Sequence, residues 1–159
     1  MKTVASILLG GLLVVFAAGA PARALDFPHG GVNVMATPHP FGVLVERLDA
    51  AVKANGMFVV TRASASAGAQ RRGLTIPGNI VVGVYRNDFA VRMLEASIPA
   101  GIEAPLVFYI TANDDGTATL SYRTPSATFA PYGSAALDAM AADLDAIFAA
   151  IAAAATAQD

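Results

Sequence analysis

The apolar residues change their spacing once within residues 78–94, and this change constrains the fold more than any other feature of the sequence. Residues 80–85 form a nearly continuous β-branched run that ends at Tyr85, as in a strand at the centre of a sheet. The next apolar residues recur at the spacing of a helix: Phe89, Met93 and Leu94. Asn87 or Asp88, where the spacing changes, is expected to be the N-cap of that helix. Residues 78–94 therefore predict a strand followed directly by a helix.

Apolar runs with the spacing of a strand and apolar runs with the spacing of a helix also occur before and after residues 78–94. Strand patterns cover 31–37, 57–63, 105–111 and 117–124, and helical patterns lie between Pro40 and Gly56 and over 134–151. Residues 65–72 are small and polar and fit either a loop or one to two turns of helix. In the last strand Thr119 and Ser121 alternate with apolar residues, so we expect them on a face that contacts water. The order β-α-β-(α)-β-α-β-β-α predicts the two-layer α+β class, in which helices cover one face of a small, mainly antiparallel sheet.

The first 24 residues have the three parts of a secretory signal peptide. Met1 and Lys2 form a short positive start, an uncharged apolar run follows, and Ala22 and Ala24 supply the small residues of a cleavage site. We expect cleavage after Ala24 and export to the periplasm or out of the cell. The alternative is a retained membrane anchor, since the apolar run is at the lower limit for a span. Residues 25–159 would then form a single domain with an ordered core over about 31–152.

Composition excludes several classes of function. The chain has no cysteine, which excludes disulfides, thiolate metal sites and cysteine nucleophiles. Without Lys2 and Arg23, which precede the predicted cleavage point, the 10 basic residues become 8 against 12 acidic ones, a net charge of −4. This excess of acidic residues argues against nucleic-acid binding, which requires clustered positive charge. No second apolar run suggests a bilayer span, so we expect no stable membrane insertion after cleavage.

Four segments together carry a family resemblance over nearly all of residues 25–159. They are VERLDAAVKANGMFVV, GLTIPGNIVVGVYRND, the paired strands of Ile102–Pro125 and the closing helix of Tyr132–Ile151. In these segments the chain resembles the domain of unknown function 302 family, DUF302. The resemblance implies a small α+β domain that pairs as a homodimer, and it implies no particular activity.

The chain departs from the family pattern at two places. Where relatives tend to have an aromatic-Gly-Asn-Pro motif, this chain keeps only the aromatic Tyr85 and Asn87. Where many relatives have an Asp-His pair after the second strand, it has Arg62, Ala63 and Ser64. Any chemistry that relatives perform with that histidine would therefore not be performed in the same way here.

Histidines and arginines supply the few candidates for ligand chemistry. His29 and His39 are the only histidines, and two imidazoles are too few for a closed metal site, which makes them weak metal candidates. Arg71, Arg72 and Arg86 lie on either side of the strand at 80–85 and could converge on an anion. Asp88 would compete with such an anion for the amides at the start of the following helix.

Two hypotheses of function follow. The first is a non-catalytic, exported homodimer that binds a small molecule or a partner protein and needs no cofactor. Its expected ligand-binding residues are Tyr85, Arg86, Asn87, Tyr122 and Arg123. The second is a small hydrolase- or isomerase-like enzyme in which the polar groups of Arg86, Asn87, Tyr122 and Arg123 polarise a substrate. The first is favoured, because no serine lies in a nucleophile motif and no base or metal cluster is visible.

Overall fold

The computed structural model describes Leu25 and residues 27–158, and the predicted signal peptide, residues 1–24, lies outside this part of the chain. The strands are β1 (Val32–Thr37), β2 (Phe58–Ala63), β3 (Asn79–Tyr85), β4 (Leu106–Ala112) and β5 (Ala118–Arg123). The α-helices are α1 (Phe41–Ala54), α2 (Ala65–Gln70), α3 (Asn87–Ala96), α4 (Pro125–Phe129) and α5 (Ala135–Thr156), with 3-10 helices at Ile98–Glu103 and Ala130–Tyr132. The order predicted from the sequence is confirmed, and the short helix α4 and the two 3-10 helices are additions to it.

The five strands form one fully antiparallel sheet in the order β1-β5-β4-β3-β2. Helix α1 connects β1 to β2, which lie at opposite edges, so it crosses the whole sheet. Helices α1, α3 and α4 pack against α5 and form the second layer. The predicted two-layer α+β class is therefore confirmed.

An aromatic cluster fills the middle of the core between the sheet and α5. Phe108 of β4 lies opposite Tyr122 of β5, and both side chains face the helices. The ring of Phe148 on α5 stacks on Phe108 with centroids 4.7 Å apart, and it lies 5.8 Å from the ring of Tyr122. All three side chains are buried. This cluster fixes α5 above the centre of the sheet.

The opposite sheet face, which we call the open face, is centred on Val34, Val81, Val107, Tyr109 and Ser121. The strand register places these side chains on the face away from the core, because each alternates with a residue that faces the helices. Val34 and Val107 are each 42% exposed, whereas Ser121 is 1% exposed.

The expectation that Thr119 and Ser121 contact water is wrong. Both are buried because β5 lies between β1 and β4, whose side chains flank them in the register. Thr119 donates a hydrogen bond to Asn113 Oδ1 at 3.0 Å. Ser121 Oγ has no hydrogen-bond partner among the residues that the structure describes.

Helix α5 continues to Thr156, beyond the end of the ordered core predicted from the sequence. Its last carbonyls are satisfied by side chains from other parts of the chain, which explains why this alanine-rich end is helical. Arg47 Nε donates to Ala155 O at 3.0 Å, and Arg47 Nη2 donates to Ala157 O at 2.8 Å.

By length and composition α5 would qualify as a membrane span, contrary to the expectation that no second run is long enough. This is weak evidence for insertion, because the core helix of a globular domain meets the same criteria. The buried residues of α5 pack in the core with the other helices and the sheet.

Candidate functional site

The junction of β3 and α3 is a compact charged corner. Arg86 is the N-cap residue of α3, with an extended backbone and no capping hydrogen bond from its side chain. The prediction that Asn87 or Asp88 is the N-cap is therefore wrong, because the helix already begins at Asn87. Asp88 accepts two hydrogen bonds from Arg86, at 2.7 Å from Nε and 3.1 Å from Nη2.

The electrostatics of this corner work against anion binding. The hydrogen bonds from Arg86 are the main cause that lowers the pKa of the Asp88 carboxyl below its ordinary value, and backbone amides of Phe89 and Asp88 also contribute. Asp88 therefore stays ionised and accepts hydrogen bonds from the Arg86 guanidinium and from the first amides of the helix. These donors are then not available to a bound anion. The Arg86 guanidinium also lies 4.4 Å from the centre of the Phe89 ring.

The five residues predicted as a ligand site do not form one group. Tyr85 donates a hydrogen bond to Asn87 Oδ1 at 3.4 Å, so these two lie together beside Arg86. Tyr122 is 6% exposed and lies among the rings of the core, on the sheet face that contacts the helices. Strand alternation assigns Tyr85 to the opposite face of the sheet. Arg123 donates to the carbonyl of Ala127 at 2.9 Å.

A small cavity lies beneath this corner, and Tyr85 and Arg86 form part of its wall. Its volume is about 30 Å³, which holds about two water-sized spheres. The remaining wall is apolar and is formed by side chains of α3, α4, α5, the sheet and the segments that precede β2 and β4. Three of these side chains are methionines: Met57, Met93 and Met140.

The two histidines do not form a shared site. His29 is exposed, whereas His39 is 7% exposed and its Nε2 lies 2.7 Å from Ala157 O. Since a carbonyl oxygen only accepts, Nε2 carries the proton in this contact and His39 binds the end of α5. The described residues contain no group of three His, Cys, Asp or Glu side chains that could hold a metal ion.

A much larger groove lies at the other end of β3, and no pattern in the sequence indicates it. Its volume is about 630 Å³, within the range of small-molecule sites, which is roughly 300–1,000 Å³. We call it the α1–α2 groove, since the start of α1, helix α2 and residues 74–76 form its walls. Its apolar lining residues are Phe41, Val45, Leu74, Ile76 and Ile80.

Close packing at Gly78 shapes the floor of the α1–α2 groove. A Cβ atom at this position would lie 3.0 Å from the ring of Phe41. The absence of a side chain therefore lets the chain pass directly beneath the ring and brings β3 against the start of α1.

Hydroxyl groups form the polar side of the α1–α2 groove. Ser64 is the N-cap of α2 and accepts a hydrogen bond from the amide of Ala67 at 3.0 Å. Ser66 Oγ lies 3.0 Å from Ser64 Oγ and accepts from the amide of Asn79 at 3.1 Å. Asn79 Oδ1 accepts from the amide of Ala65 at 3.0 Å. These bonds fix the short helix α2 against the start of β3.

The α1–α2 groove carries little charge. Among the residues that the structure describes, Glu46 is the one charged side chain in its wall, and it is exposed. Arg71 and Arg72 are exposed at the end of α2, near the start of β3, whereas Arg86 follows the end of this strand. The hypothesis that these three arginines converge on one anion is therefore wrong.

Comparisons with known proteins agree with this fold. The family model "Domain of unknown function DUF302" matches residues 33–155. The crystal structure of an uncharacterized conserved DUF302 protein from Bacillus stearothermophilus is similar, with a TM-score of 0.69 and 21% sequence identity. The similarity covers 77% of this chain and 95% of that chain. No curated protein matches. The chain belongs to the DUF302 family.

Proposed function

We propose that this chain is an exported, non-catalytic module that forms a homodimer and binds a small, largely apolar molecule. The observation that carries the proposal is the α1–α2 groove, which combines a suitable volume with an apolar wall and a hydroxyl-lined side. An apolar ligand is favoured over an anion, because the described part of the chain places one charged side chain in the wall, the acidic Glu46. The internal hydrogen bonds of Ser64, Ser66 and Asn79 preorganise the polar side, which reduces the entropy cost of binding.

Replacing Leu74 with serine is expected to weaken the binding of an apolar probe to the groove about tenfold. Leu74 is 52% exposed in the wall of the groove, so a ligand would cover an apolar surface that serine lacks. The probe is N-phenyl-1-naphthylamine, an uncharged aromatic amine whose fluorescence rises in apolar surroundings. A fluorescence titration gives the dissociation constant of each protein.

Leu94→Ser is the matched control for this titration. Leu94 is 46% exposed and lies outside the groove wall. We expect its dissociation constant to equal that of the unchanged protein. Equal weakening by both substitutions, or no saturable binding to the unchanged protein, would count against the groove as the binding site.

The homodimer is proposed to form through the open face. By strand alternation this face contains valine, tyrosine, threonine and serine side chains, and among the described residues Arg123, at the end of β5, is its one charged residue. A second copy would cover Val34 and Val107, which are each 42% exposed. A face whose one charge lies at the end of a strand opposes few like charges when it pairs with itself around a two-fold axis.

Replacing Val107 with lysine is therefore expected to convert the dimer into a monomer. Lysine would place a charge at the centre of the paired faces, where it would lose its water without gaining a partner. Val43→Lys is the control, because Val43 is also 42% exposed but lies on α1. Sedimentation velocity measures the assembly. A dimer that survives Val107→Lys, or one that Val43→Lys disrupts equally, would exclude this interface.

Export is proposed from the signal pattern of residues 1–24. When the whole chain is produced in a Gram-negative bacterium, the protein recovered from the periplasm should have the mass of residues 25–159. Retention of the first 24 residues in the recovered protein would contradict cleavage after Ala24.

A further inference from the structure

Methionine side chains are concentrated around the small cavity next to the β3–α3 junction. The described residues contain four methionines, and three of them line this one cavity: Met57, Met93 and Met140. They come from separate parts of the fold, since Met57 precedes β2, Met93 lies on α3 and Met140 lies on α5. Each is at most 4% exposed. The topology thus brings three methionines from distant points of the sequence to the wall of one cavity.

The cavity has the size of a site for a single ion rather than for an organic molecule. Its volume of about 30 Å³ is far below the roughly 300 Å³ at which small-molecule sites begin. Its wall is mainly apolar, so water would find few hydrogen-bond partners there. The cavity borders Tyr85 and Arg86, which are only partly buried, so it lies close to the surface.

Thioether sulfur selects one class of metal ion. It is a soft, uncharged donor that suits Cu(I), whereas Mg²⁺, Ca²⁺ and Mn²⁺ prefer oxygen ligands. The methionine side chain has three rotatable bonds, so that small rotations can bring sulfur toward an ion. The described residues offer no group of three His, Cys, Asp or Glu side chains that would compete for harder ions.

The charge of the surroundings is compatible with a monovalent cation. Of the described residues, Arg86 is the one basic side chain in the cavity wall, and Asp88 pairs with it at 2.7 Å. This pair is neutral overall, so its repulsion of an entering cation is small. Phe89, which also lines the cavity, is already contacted by the guanidinium groups of Arg86 and Arg92, at 4.4 Å and 5.2 Å from the ring centre, so the methionines are left as the donors for an ion.

We propose that Met57, Met93 and Met140 form a binding site for one Cu(I) ion. Three thioether ligands would give a three-coordinate site in a cavity lined mainly by apolar side chains. No electron transfer is involved, since the ion binds and leaves in the same oxidation state. The site is separate from the α1–α2 groove, so the proposal is independent of the function proposed for that groove.

The test uses Ag(I) as a redox-stable probe of the same softness. Purified protein is titrated with silver nitrate in chloride-free buffer, and the methyl groups of the methionines are followed by NMR. We expect saturation at one Ag(I) per chain, with shifts at Met57, Met93 and Met140 and none at Met35. Met35 is the matched control, because it is partly buried against the same core but lies outside the cavity wall.

Leucine substitutions complete the test, because leucine preserves the volume of methionine and removes its sulfur. Met57→Leu, Met93→Leu and Met140→Leu should each weaken Ag(I) binding at least tenfold, and Met35→Leu should leave it unchanged. An unchanged melting temperature shows that a variant is folded. One folded variant with leucine at Met57, Met93 or Met140 is enough to test the site. The proposal is overturned if no saturation occurs, if Met35→Leu has the same effect as the cavity variants, or if His29→Asn abolishes binding.

Discussion

Replacing Phe148 with alanine is expected to lower the free energy of unfolding by about 3–5 kcal/mol, as for other large buried aromatic residues. Phe148 is fully buried and stacks on Phe108 with ring centroids 4.7 Å apart. Its loss would leave a cavity where α5 contacts the centre of the sheet, and the surrounding strands are too constrained to fill it. Equilibrium unfolding in urea measures the change.

Ile98→Ala is the control for Phe148→Ala. Ile98 is also a large apolar residue, but it is 79% exposed, and we expect a change within about 0.5 kcal/mol. A loss below about 1 kcal/mol for Phe148→Ala would mean that α5 does not pack on the sheet as described, since cavity formation in a close-packed core costs more than this.

Replacing Gly31 with alanine should have the second large effect, a loss of about 2–5 kcal/mol in the free energy of unfolding. Two causes add at this position. Gly31 has a φ of +77°, a conformation that costs an L-residue roughly 1–2 kcal/mol. A Cβ atom there would also overlap the Cβ of Ala127 on α4. The carbonyl of Gly31 accepts a hydrogen bond from the amide of Thr124 at 2.8 Å, so the backbone cannot easily move away.

Gly73→Ala separates the two causes. Gly73 has nearly the same φ, +73°, but a Cβ atom there would meet nothing within 4 Å. We expect Gly73→Ala to lower the free energy of unfolding by about 1–2 kcal/mol, which is the cost of the positive φ alone. If Gly31→Ala and Gly73→Ala have equal effects on unfolding in urea, α4 does not lie against the start of β1.

The order of elements could be predicted because strand and helix spacings are directly visible in the sequence. The turn between β4 and β5 also has a local signal in the sequence, which is Asp115 followed by Gly116. Asp115 Oδ1 accepts a hydrogen bond from the amide of Thr117 at 3.0 Å, and Gly116 has a φ of +85°. Helix α4 was missed because it is short and lacks a repeating apolar pattern. Its signal is Thr124 before Pro125, which form an N-cap and the first helical position.

The residues predicted as a ligand site do not lie together, and the cause is the geometry of the strands. Tyr85 and Tyr122 both lie near strand ends at the same side of the sheet, but alternation assigns them to opposite faces. The relative register of β3 and β5 decides this, and it depends on β4 between them. A single sequence does not give that register, whereas the spacing within each strand is visible.

The α1–α2 groove and the methionine cavity were missed because each is built from distant segments. Phe41, Ser66 and Ile76 are unremarkable in the sequence, and only the packing of α1 beside α2 brings them to one groove. The absence of thiolates and the number of histidines are directly visible in the sequence, whereas no motif or spacing there indicates thioether ligands. Three single methionines far apart in a chain are typical of core residues, and only their common cavity indicates a further role.

The most direct test of the proposed binding function is an NMR titration that locates the probe on the protein. Methyl groups of isoleucine, leucine and valine are labelled, and N-phenyl-1-naphthylamine is added to saturation. We expect the largest shifts at four residues that line the α1–α2 groove: Val45, Leu74, Ile76 and Ile80. Shifts confined to other exposed apolar residues, such as Ile98 and Ile102, or no saturable shifts at all, would contradict it.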